Sequence, residues 1–437
     1  MPYAGLDVHK RVVEAAVLRD DGELLWRAQV ACTRTALTRL ARDRLGPHCH
    51  VALEATTNTW AVAALLEPYV AEVVVSNPLR TRLIAEAKVK TDRVDALVLA
   101  QLLRADFLPR VWQPDEQTRR LRDLTARRAS LTHDRTRIKN RIHAVLHQRL
   151  LAPPCKELFS QKGLAWLKAL RVDPSGRAAI DSELRLLEQV DAEVATMDQT
   201  MADVGWADER VKLLMTLPGV NMAVAEGLLG ALGDINRFRD GDHAASYLGI
   251  VPSTRQSAEH CYHGPITKQG RGHTRWLLVQ AAQCLASNPG PLGVFFRRLA
   301  KKKNRNVAVV ATARKLVTIA WQMLKNNEPY RYAQPDPTET KLQRMRGRAT
   351  GERRAGGMPK GPRPATYGTK TRLVPPIDEV LRRHGLPEVA PLPLGELRML
   401  RENKLLPFLE DIQTTKRVPR RKCAEPNPPP AKRALGR

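Results

Sequence analysis

Residues 3–31, "YAGLDVHKRVVEAAVLRDDGELLWRAQVA", decide the fold of the first part of the chain. The apolar runs at residues 3–8 and 12–18 are typical of strands, and the Asp-Gly pair in "RDDGEL" predicts a tight turn. That turn would lead into a third strand near residues 23–31. The sequence therefore predicts that a sheet begins with three antiparallel strands.

Helical and strand patterns alternate after this start. The resulting order, βββαβαβα, is that of an RNase H-like α/β domain, which we place at residues 1–110. The elements predicted after residue 31 are a helix at 36–45, the strand "HVALEA" at 50–55, a helix at 59–68, the strand "AEVVVSN" at 71–77 and helices to about residue 104.

Apolar residues recur every seven positions in two segments, and Pro153 and Pro154 separate them. This spacing predicts two long amphipathic helices within residues 111–205. They would form either a helical coiled-coil hairpin or a seam between two copies of the chain, and the sequence leaves both open. The recurring residues are Leu124, Leu131, Ile138 and Val145 in the first segment, and Ile180, Leu187, Val194 and Met201 in the second.

A mostly helical domain is predicted at residues 206–330, with an irregular stretch at its centre. Its segment "LMTLPGVNMAVAEGLLGALGD", residues 214–234, has the Leu-Pro-Gly-Val turn of a helix-hairpin-helix. Backbone N–H groups around Gly219 would then contact DNA phosphate without reading sequence. The alternative is an ordinary helical corner within a core.

Residues 331–437 have a different composition, with 16 of the 31 prolines and 24 Lys and Arg against 11 Asp and Glu. This segment predicts a basic, Pro-rich and largely disordered tail, with short helices around 377–384 and 395–412. Our hypothesis for it is an electrostatic arm that raises nucleic-acid affinity.

The charge of the whole chain predicts a polyanionic partner. It has 437 residues, 72 Lys and Arg, 45 Asp and Glu, a net charge of +27 and a pI near 10.3. Nucleic acid is the expected partner, and an anionic membrane is the weaker rival, because no run approaches the ~20 apolar residues of a membrane span. The six cysteines form no CxxC pair, and no signal peptide is recognisable. We expect a cytoplasmic, nucleoid-associated protein.

Four acids stand at positions that an RNase H-like sheet would bring together. Asp7 lies on the first strand and Glu54 ends the fourth, and those strands are neighbours in such a sheet. Asp92 and Asp95, three residues apart, would share one face of a helix. Taken alone, that pair is more typical of a solvated helix face. Asp7 and Glu54 favour a cluster, because a strand acid is unfavourable to bury without a role.

Clustered carboxylates repel one another unless cations lie between them. Mg²⁺ prefers oxygen ligands. Two ions about 4 Å apart can stabilise both the attacking and the leaving oxygen when a phosphoryl group is displaced. We therefore predict a site for two Mg²⁺ ions held by the four acids. The basic neighbours Lys88, Lys90 and Arg93 would hold the phosphate backbone.

Residues 247–276, "YLGIVPSTRQSAEHCYHGPITKQGRGHTRW", combine two serines with basic side chains in a segment that reads as a loop. A serine hydroxyl becomes a nucleophile where a base or metal activates it and cations hold the phosphate. The residue pattern alone does not choose between Ser253 and Ser257, and a loop serine is more often a cap or turn residue. The predicted phosphate contacts here are Arg255, Lys268 and Arg271.

Together these motifs resemble the DEDD-type transposases of bacterial insertion sequences, also called bridge recombinases. The likeness spans about residues 3–325. It is carried by "GLDVHK", "ALEAT", "KTDRVDA", "LMTLPGV", "YLGIVPSTRQS" and "ITKQGRGHTRWLLVQAA".

The resemblance implies a RuvC-like domain with the acids Asp7, Glu54, Asp92 and Asp95, followed by a transposase domain with a nucleophilic serine. The matching serine is Ser257, and Ala258 follows it where the family usually has Gly. The resemblance further implies Mg²⁺-dependent DNA strand exchange through a covalent phosphoserine.

The partners that the resemblance implies are donor DNA, target DNA, an element-encoded structured guide RNA (bridge RNA) and further copies of the chain, as a dimer or tetramer. Basic residues at 119–141 offer a surface for the RNA, or they simply solvate a helix. Two other functions stay open: a RuvC-like nuclease or junction resolvase that uses water, and a non-catalytic nucleic-acid binding protein.

Overall fold

The computed structural model describes residues 1–85, 91–257, 260–352 and 371–419. They form two compact units, Met1–Asp115 and Glu116–Arg437. Lys88, Lys90 and Ala258 lie outside the described residues.

Unit 1 is a five-stranded sheet with helices on both faces. The strand order is β3-β2-β1-β4-β5, with β1, β2 and β3 antiparallel and with β4 and β5 parallel to β1. The mixed α/β fold and each predicted strand are confirmed. The elements are β1 (Tyr3–Val8), β2 (Val12–Leu18), β3 (Leu24–Ala31), α1 (Arg34–Leu40), β4 (His50–Glu54), α2 (Thr59–Leu66), β5 (Glu72–Ser76), α3 (Pro78–Ile84) and α4 (Asp92–Arg104).

The two faces of this sheet are buried by different helices. Leu6 and Leu53 pack on the face covered by α1 and α2. Ala52 packs with Leu99 and Leu103 of α4 on the opposite face. Because side chains alternate along a strand, residues 5 and 7 of β1 belong to the α4 face.

Unit 2 is mostly helical. Its elements are α5 (Glu116–Gln148), α6 (Gln161–Ala169), α7 (Pro174–Ala207), α8 (Glu209–Leu214), α9 (Met222–Leu232), α10 (Gly241–Tyr247), β6 (Pro252–Ser257), β7 (His260–Ile266), α11 (Gly272–Gln283), α12 (Pro291–Lys302), α13 (Arg305–Asn326), α14 (Pro335–Ala349), β8 (Thr371–Val374), α15 (Ile377–Arg383), α16 (Leu394–Glu402), α17 (Leu406–Gln413) and β9 (Lys416–Pro419).

The two long helices, α5 and α7, pack against each other as an antiparallel hairpin within one chain. Arg141 Nε lies 2.6 Å from Glu183 Oε1, and Arg128 Nε lies 2.6 Å from Asp198 Oδ1. The residue numbers rise on one helix as they fall on the other, which is the register of an antiparallel pair. This pairing within one chain is that of the predicted hairpin, and a seam between two copies stays a prediction.

The described residues after 330 extend the core of unit 2. Leu342, Ile377, Leu381, Leu400 and Phe408 are buried in the same apolar cluster as α9 and α13. The helix predicted around 377–384 is confirmed as α15. The single helix predicted around 395–412 is divided into α16 and α17, and α14 is an additional helix. The prediction of a largely disordered tail is therefore corrected for residues 331–352 and 371–419, which are packed. Residues 353–370 and 420–437 lie outside the described residues.

Helix α13 is long and apolar enough to cross a membrane by length and composition alone. Arg314 and Lys315 interrupt its apolar sequence. Ala313, Leu316 and Val317 are buried in the core of unit 2, where α13 packs on α10, α11 and α12. Packing within the unit therefore accounts for its apolar composition.

Candidate active site

Two of the four predicted acids lie on adjacent parallel strands of unit 1. Leu6 of β1 is the register partner of Leu53 of β4, and Asp7 and Glu54 follow these residues directly. Both acids lie on the sheet face that α4 covers, since they alternate with Leu6 and Leu53 on the other face. The sequence prediction that these strands are neighbours is confirmed.

Helix α4 brings its first turn to the same face. Thr91 caps the helix by accepting a hydrogen bond from the backbone N–H of Val94, so that Asp92 and Asp95 lie in the first turn. The close approach depends on Gly5, because a Cβ atom there would lie 1.9 Å from the carbonyl oxygen of Ala96. A glycine two residues before Asp7 therefore positions the helix that carries the other acids.

The electrostatics of Asp7 reflect this crowding. Burial is the main cause that raises the pKa of Asp7, whose side chain is 16% exposed. The nearby charges of Asp92 and Asp95 raise the pKa further, while a hydrogen bond from His9 opposes them. The structure thus brings Asp7, Asp92 and Asp95 within electrostatic range of one another, with Glu54 on the neighbouring strand.

His9 joins two of these carboxylates and was missed in the sequence. Its Nε2 atom lies 3.0 Å from Asp7 Oδ2 and 3.4 Å from Asp92 Oδ1. The hydrogen bond to Asp7 is the main cause that raises the pKa of His9. Its signal was the i+2 spacing from Asp7 at the end of a predicted strand.

A further acid on this face also escaped the sequence reasoning. Glu14 of β2 is the register partner of Asp7, and the two therefore share a face. Glu14 is buried, and Gln29 Nε2 donates to its Oε1 over 2.5 Å. The carboxylate is thus fixed by β3 beside the cluster. Its signal was an acid in the middle of the apolar strand "VVEAAVL".

In unit 2, the segment predicted as an irregular loop is a β-hairpin. Strands β6 and β7 pair antiparallel, with Ser257 opposite His260. Polar residues on both strands form an exposed two-stranded ribbon, and this polar composition explains why the pattern resembled a loop. Ser257 is the exposed last residue of β6, and Arg255 is exposed two residues before it.

The two serines that the sequence could not separate have different surroundings. Ser253 Oγ donates to the carbonyl oxygen of Pro265 over 3.0 Å, which ties the two strands together near the base of the hairpin. A Cβ atom on Gly264 would lie 2.6 Å from this hydroxyl. Ser253 therefore has a structural contact, while Ser257 lies exposed beside the end of the strand pair.

The base of the hairpin is held by Arg275. Its Nη1 atom donates to the carbonyl oxygens of Leu248, Gln269 and Gly270 over 3.1–3.2 Å. These contacts fix the turn that presents Lys268 and Arg271. Burial lowers the pKa of Arg271, which lies near Tyr247.

Comparison with known proteins gives matches to two family models. Residues 4–150 match the IS110-type DEDD family described as "Transposase", and residues 211–292 match the "Transposase IS116/IS110/IS902 family". The chain belongs to the IS110/IS116 family of transposases. The first match includes the four acids, and the second includes Ser257.

Curated relatives support the same family. A "Putative transposase y4qE" of Sinorhizobium fredii is 27% identical over 325 residues, covering 73% of this chain and 78% of the relative. An IS116 "uncharacterized 44.8 kDa protein" of Streptomyces clavuligerus is 24% identical, covering 76% and 97%. A "Pilin gene-inverting protein" of Moraxella bovis is 28% identical, covering 64% and 81%. DNA transposition or recombination is the activity that this family membership indicates.

Only some of the basic side chains on helix α5 are free to contact RNA, because others are engaged within the protein. Arg128 and Arg141 form ion pairs across the hairpin, and Arg122 is buried, where its Nε donates to the carbonyl oxygen of Gly230. For these residues a structural role is evident. Arg120 and Arg127 are exposed. The predicted RNA surface on α5 is therefore limited to exposed arginines of this kind.

The Leu-Pro-Gly-Val turn joins α8 to α9 as predicted. Gly219 has φ +79°, and a Cβ atom there would lie 2.4 Å from the carbonyl oxygen of Ala281. Helix α9 is buried from Met222 to Leu232. These features are typical of a packed corner, and phosphate binding at Gly219 stays a prediction.

The donor set in unit 1 fits the divalent metal that this transposase family implies. One ligand atom from each of Asp7, His9 and Asp92 lies within 4.8 Å of the others. Carboxylate oxygens are ligands for Mg²⁺ and Mn²⁺, and imidazole suits transition metals. Arg93, exposed beside Asp92, is the one predicted basic neighbour of the acids within the described residues.

Proposed function

We propose that this chain is the recombinase of an insertion sequence, exchanging DNA strands through a covalent phosphoserine at Ser257. The observation that carries the proposal is the convergence of Asp7, Asp92 and Asp95 in unit 1. The charges of Asp92 and Asp95 raise the pKa of Asp7, so an ionised Asp7 beside them is unfavourable without a cation, and DNA strand exchange is a reaction in which such a cation would act.

Asp7, Glu54, Asp92 and Asp95 would hold Mg²⁺, with two ions as the expected number. Mg²⁺ bound there would supply positive charge that stabilises the attacking and the leaving oxygens of the phosphoryl transfer. The fixed positions of the acids on β1, β4 and α4 would orient that charge without further rearrangement. Arg93 would contact the phosphate backbone close by.

In the proposed reaction, Ser257 Oγ attacks a DNA phosphorus and forms a P–O bond as the bond to one deoxyribose oxygen breaks. The serine proton leaves to a base or to solvent, and the released strand end takes up a proton as a hydroxyl. One phosphoester replaces another, so a hydroxyl of a second strand can reverse the step without an external energy source. Arg255, Lys268 and Arg271 would hold the phosphates.

The proposed partners are donor and target DNA and an element-encoded guide RNA. Arg120 and Arg127 on α5 are exposed cations suited to an RNA backbone. Bringing two DNA duplexes together favours a dimer or tetramer. We propose that the protein acts in the cytoplasm, on the nucleoid.

A denaturing gel of end-labelled cognate DNA with protein, Mg²⁺ and RNA from the flanking locus tests the serine. We expect a protein-linked DNA band for wild type that is lost in Ser257→Ala and in Asp7→Ala. Ser253→Ala is the matched control, since it removes a hydroxyl of the same hairpin and should keep the linked band.

Other outcomes would favour the other functions. Cleaved, unlinked DNA that persists in Ser257→Ala would overturn the phosphoserine and support a nuclease that uses water. A protein that binds DNA, but neither cleaves it nor binds Mg²⁺, would support the non-catalytic binding function.

RNA binding is tested by its salt dependence. Arg120→Gln combined with Arg127→Gln should reduce the slope of log K against log salt by about 1 to 2, because each lost phosphate contact removes about 0.7 to 0.9. Arg398→Gln, at an exposed position on α16, is the control with an unchanged slope. An unchanged slope in the double variant would remove α5 from the RNA surface.

A further inference from the structure

The geometry points to His9 as a nitrogen ligand of the metal site, which would make that site more selective for Mn²⁺ than four carboxylates are. This inference rests on the proposed function, because it concerns the same metal. It changes the predicted all-oxygen ligand set to one that contains an imidazole.

The distances around His9 match those between adjacent ligands of one ion. With metal–ligand bonds of about 2.0–2.2 Å, adjacent ligand atoms of a six-coordinate ion lie about 3 Å apart. His9 Nε2 lies 3.0 Å from Asp7 Oδ2 and 3.4 Å from Asp92 Oδ1. A single atom of His9 therefore faces both carboxylates at ligand-to-ligand spacing, and an ion shared by the three groups would replace the hydrogen bond between His9 and Asp7.

The three ligands are positioned by ordered backbone. Asp7 lies on a central strand, and Asp92 lies in the capped first turn of α4. His9 is held in the tight turn after β1, where its backbone N–H donates to the carbonyl oxygen of Val12 over 3.0 Å. The His9 side chain is 48% exposed, so an ion can reach it from solution.

The alternative is that a protonated His9 serves only as a counter-charge for the acids. A ligand and a counter-charge have opposite effects on metal binding. A neutral imidazole strengthens the binding of Mn²⁺, which accepts nitrogen donors more readily than Mg²⁺ does. A protonated imidazole competes with any cation, so its removal would strengthen binding.

Electron paramagnetic resonance of Mn²⁺ added to the full-length protein distinguishes these cases. Pulsed experiments detect the coupling of ¹⁴N to bound Mn²⁺, and titration of the free-ion signal gives the affinity. We expect ¹⁴N coupling in wild type and its loss in His9→Asn. We also expect His9→Asn to bind Mn²⁺ at least about tenfold more weakly, with a smaller change for Mg²⁺ measured by competition.

Two further variants are informative. His243 forms a similar pair with Asp240 in unit 2, at 2.8 Å, so His243→Asn should keep the ¹⁴N signal. His9→Asp restores a ligand as oxygen, and it should keep Mn²⁺ bound without ¹⁴N coupling. Circular dichroism checks that each variant is folded.

The outcomes separate the inference from the proposed function. Bound Mn²⁺ without ¹⁴N coupling in wild type, or tighter binding in His9→Asn, overturns His9 as a ligand and leaves the carboxylate site intact. Wild type that binds neither Mn²⁺ nor Mg²⁺, alone or with DNA, overturns both.

Discussion

The Nζ atom of Lys341 lies 2.7 Å from the carbonyl oxygen of Leu217 and 3.0 Å from that of Val220. A lysine of α14 thereby fastens the Leu-Pro-Gly-Val turn from a part of the chain beyond residue 292, where the second family match ends. Burial lowers the pKa of Lys341 from its ordinary value of 10.5 to about 7.

Lys341→Met should destabilise unit 2, because the two turn carbonyls lose their donor within the packed corner. The expected loss is about 1–3 kcal/mol in the free energy of unfolding, measured with urea at pH 10, where releasing the Lys341 proton on folding costs little. Lys325→Met is the control, since its ammonium bonds the exposed side chain of Asn236 and its loss should change stability by less than about 0.5 kcal/mol. Equal effects of both variants would contradict this role.

The same lysine predicts a pH dependence. Between pH 7 and about 10 the unfolded chain binds a proton at Lys341 that the folded protein does not. Stability contributed by this group therefore rises with pH across that window, by at most about 1.4 kcal/mol per unit. Unfolding measured at pH 7 and pH 9 should show this rise in wild type and a smaller one in Lys341→Met.

Glu226 predicts the opposite pH dependence. It is fully buried on α9, neither carboxyl oxygen has a hydrogen-bond partner among the described residues, and burial raises its pKa to about 8. The folded protein therefore binds a proton between about pH 4.5 and 8 that the unfolded chain has released, and stability falls as pH rises. Glu226→Gln should flatten this fall and be more stable than wild type at pH 8, as measured with urea at pH 5 and pH 8. An equal decrease in the free energy of unfolding from pH 5 to pH 8 in wild type and in Glu226→Gln would refute the role of Glu226.

The strands, the long helices and the places of the four acids on these elements could be predicted because each element has a local signal, while the role of the acids stays a prediction. Apolar runs and the Asp-Gly turn gave β1 to β5, heptads gave α5 and α7, and the strand order placed Asp7 beside Glu54. His9 and Glu14 were missed because their roles depend on contacts between elements. His9 matters only where α4 brings Asp92 to it, and Glu14 only where β2 pairs with Asp7.

For the described part of the tail, residues 331–352 and 371–419, the composition was misleading for a related reason. Prolines and charges predict disorder when counted over a hundred residues, but burial is decided by a few apolar positions on short helices. In α14 those are Leu342 and Met345, and in α15 they are Val380 and Leu381. The strands β6 and β7 were also not predicted, because their residues are exposed and polar and lack the apolar pattern of a buried strand.

Gly5→Ala tests how the acid cluster is positioned. The added Cβ would meet the carbonyl oxygen of Ala96 at 1.9 Å and the backbone nitrogen of Ala100 at 2.6 Å, so α4 must move away from β1. We expect a loss of about 1–3 kcal/mol in stability and weaker Mn²⁺ binding, because Asp92 and Asp95 move with the helix. Gly395→Ala, on α16 with nothing within 4 Å, is the control and should affect neither property.

Leu342→Ala tests whether the described part of the tail belongs to the folded unit. Leu342 is fully buried in the core of unit 2, so its truncation should lower the free energy of unfolding by about 2–5 kcal/mol. Leu373 is 66% exposed on β8, and Leu373→Ala should change that free energy by less than about 0.5 kcal/mol. If the segment were only an unpacked electrostatic arm, neither substitution would change the free energy of unfolding. Urea unfolding of the two variants therefore decides between a packed extension and an unpacked arm.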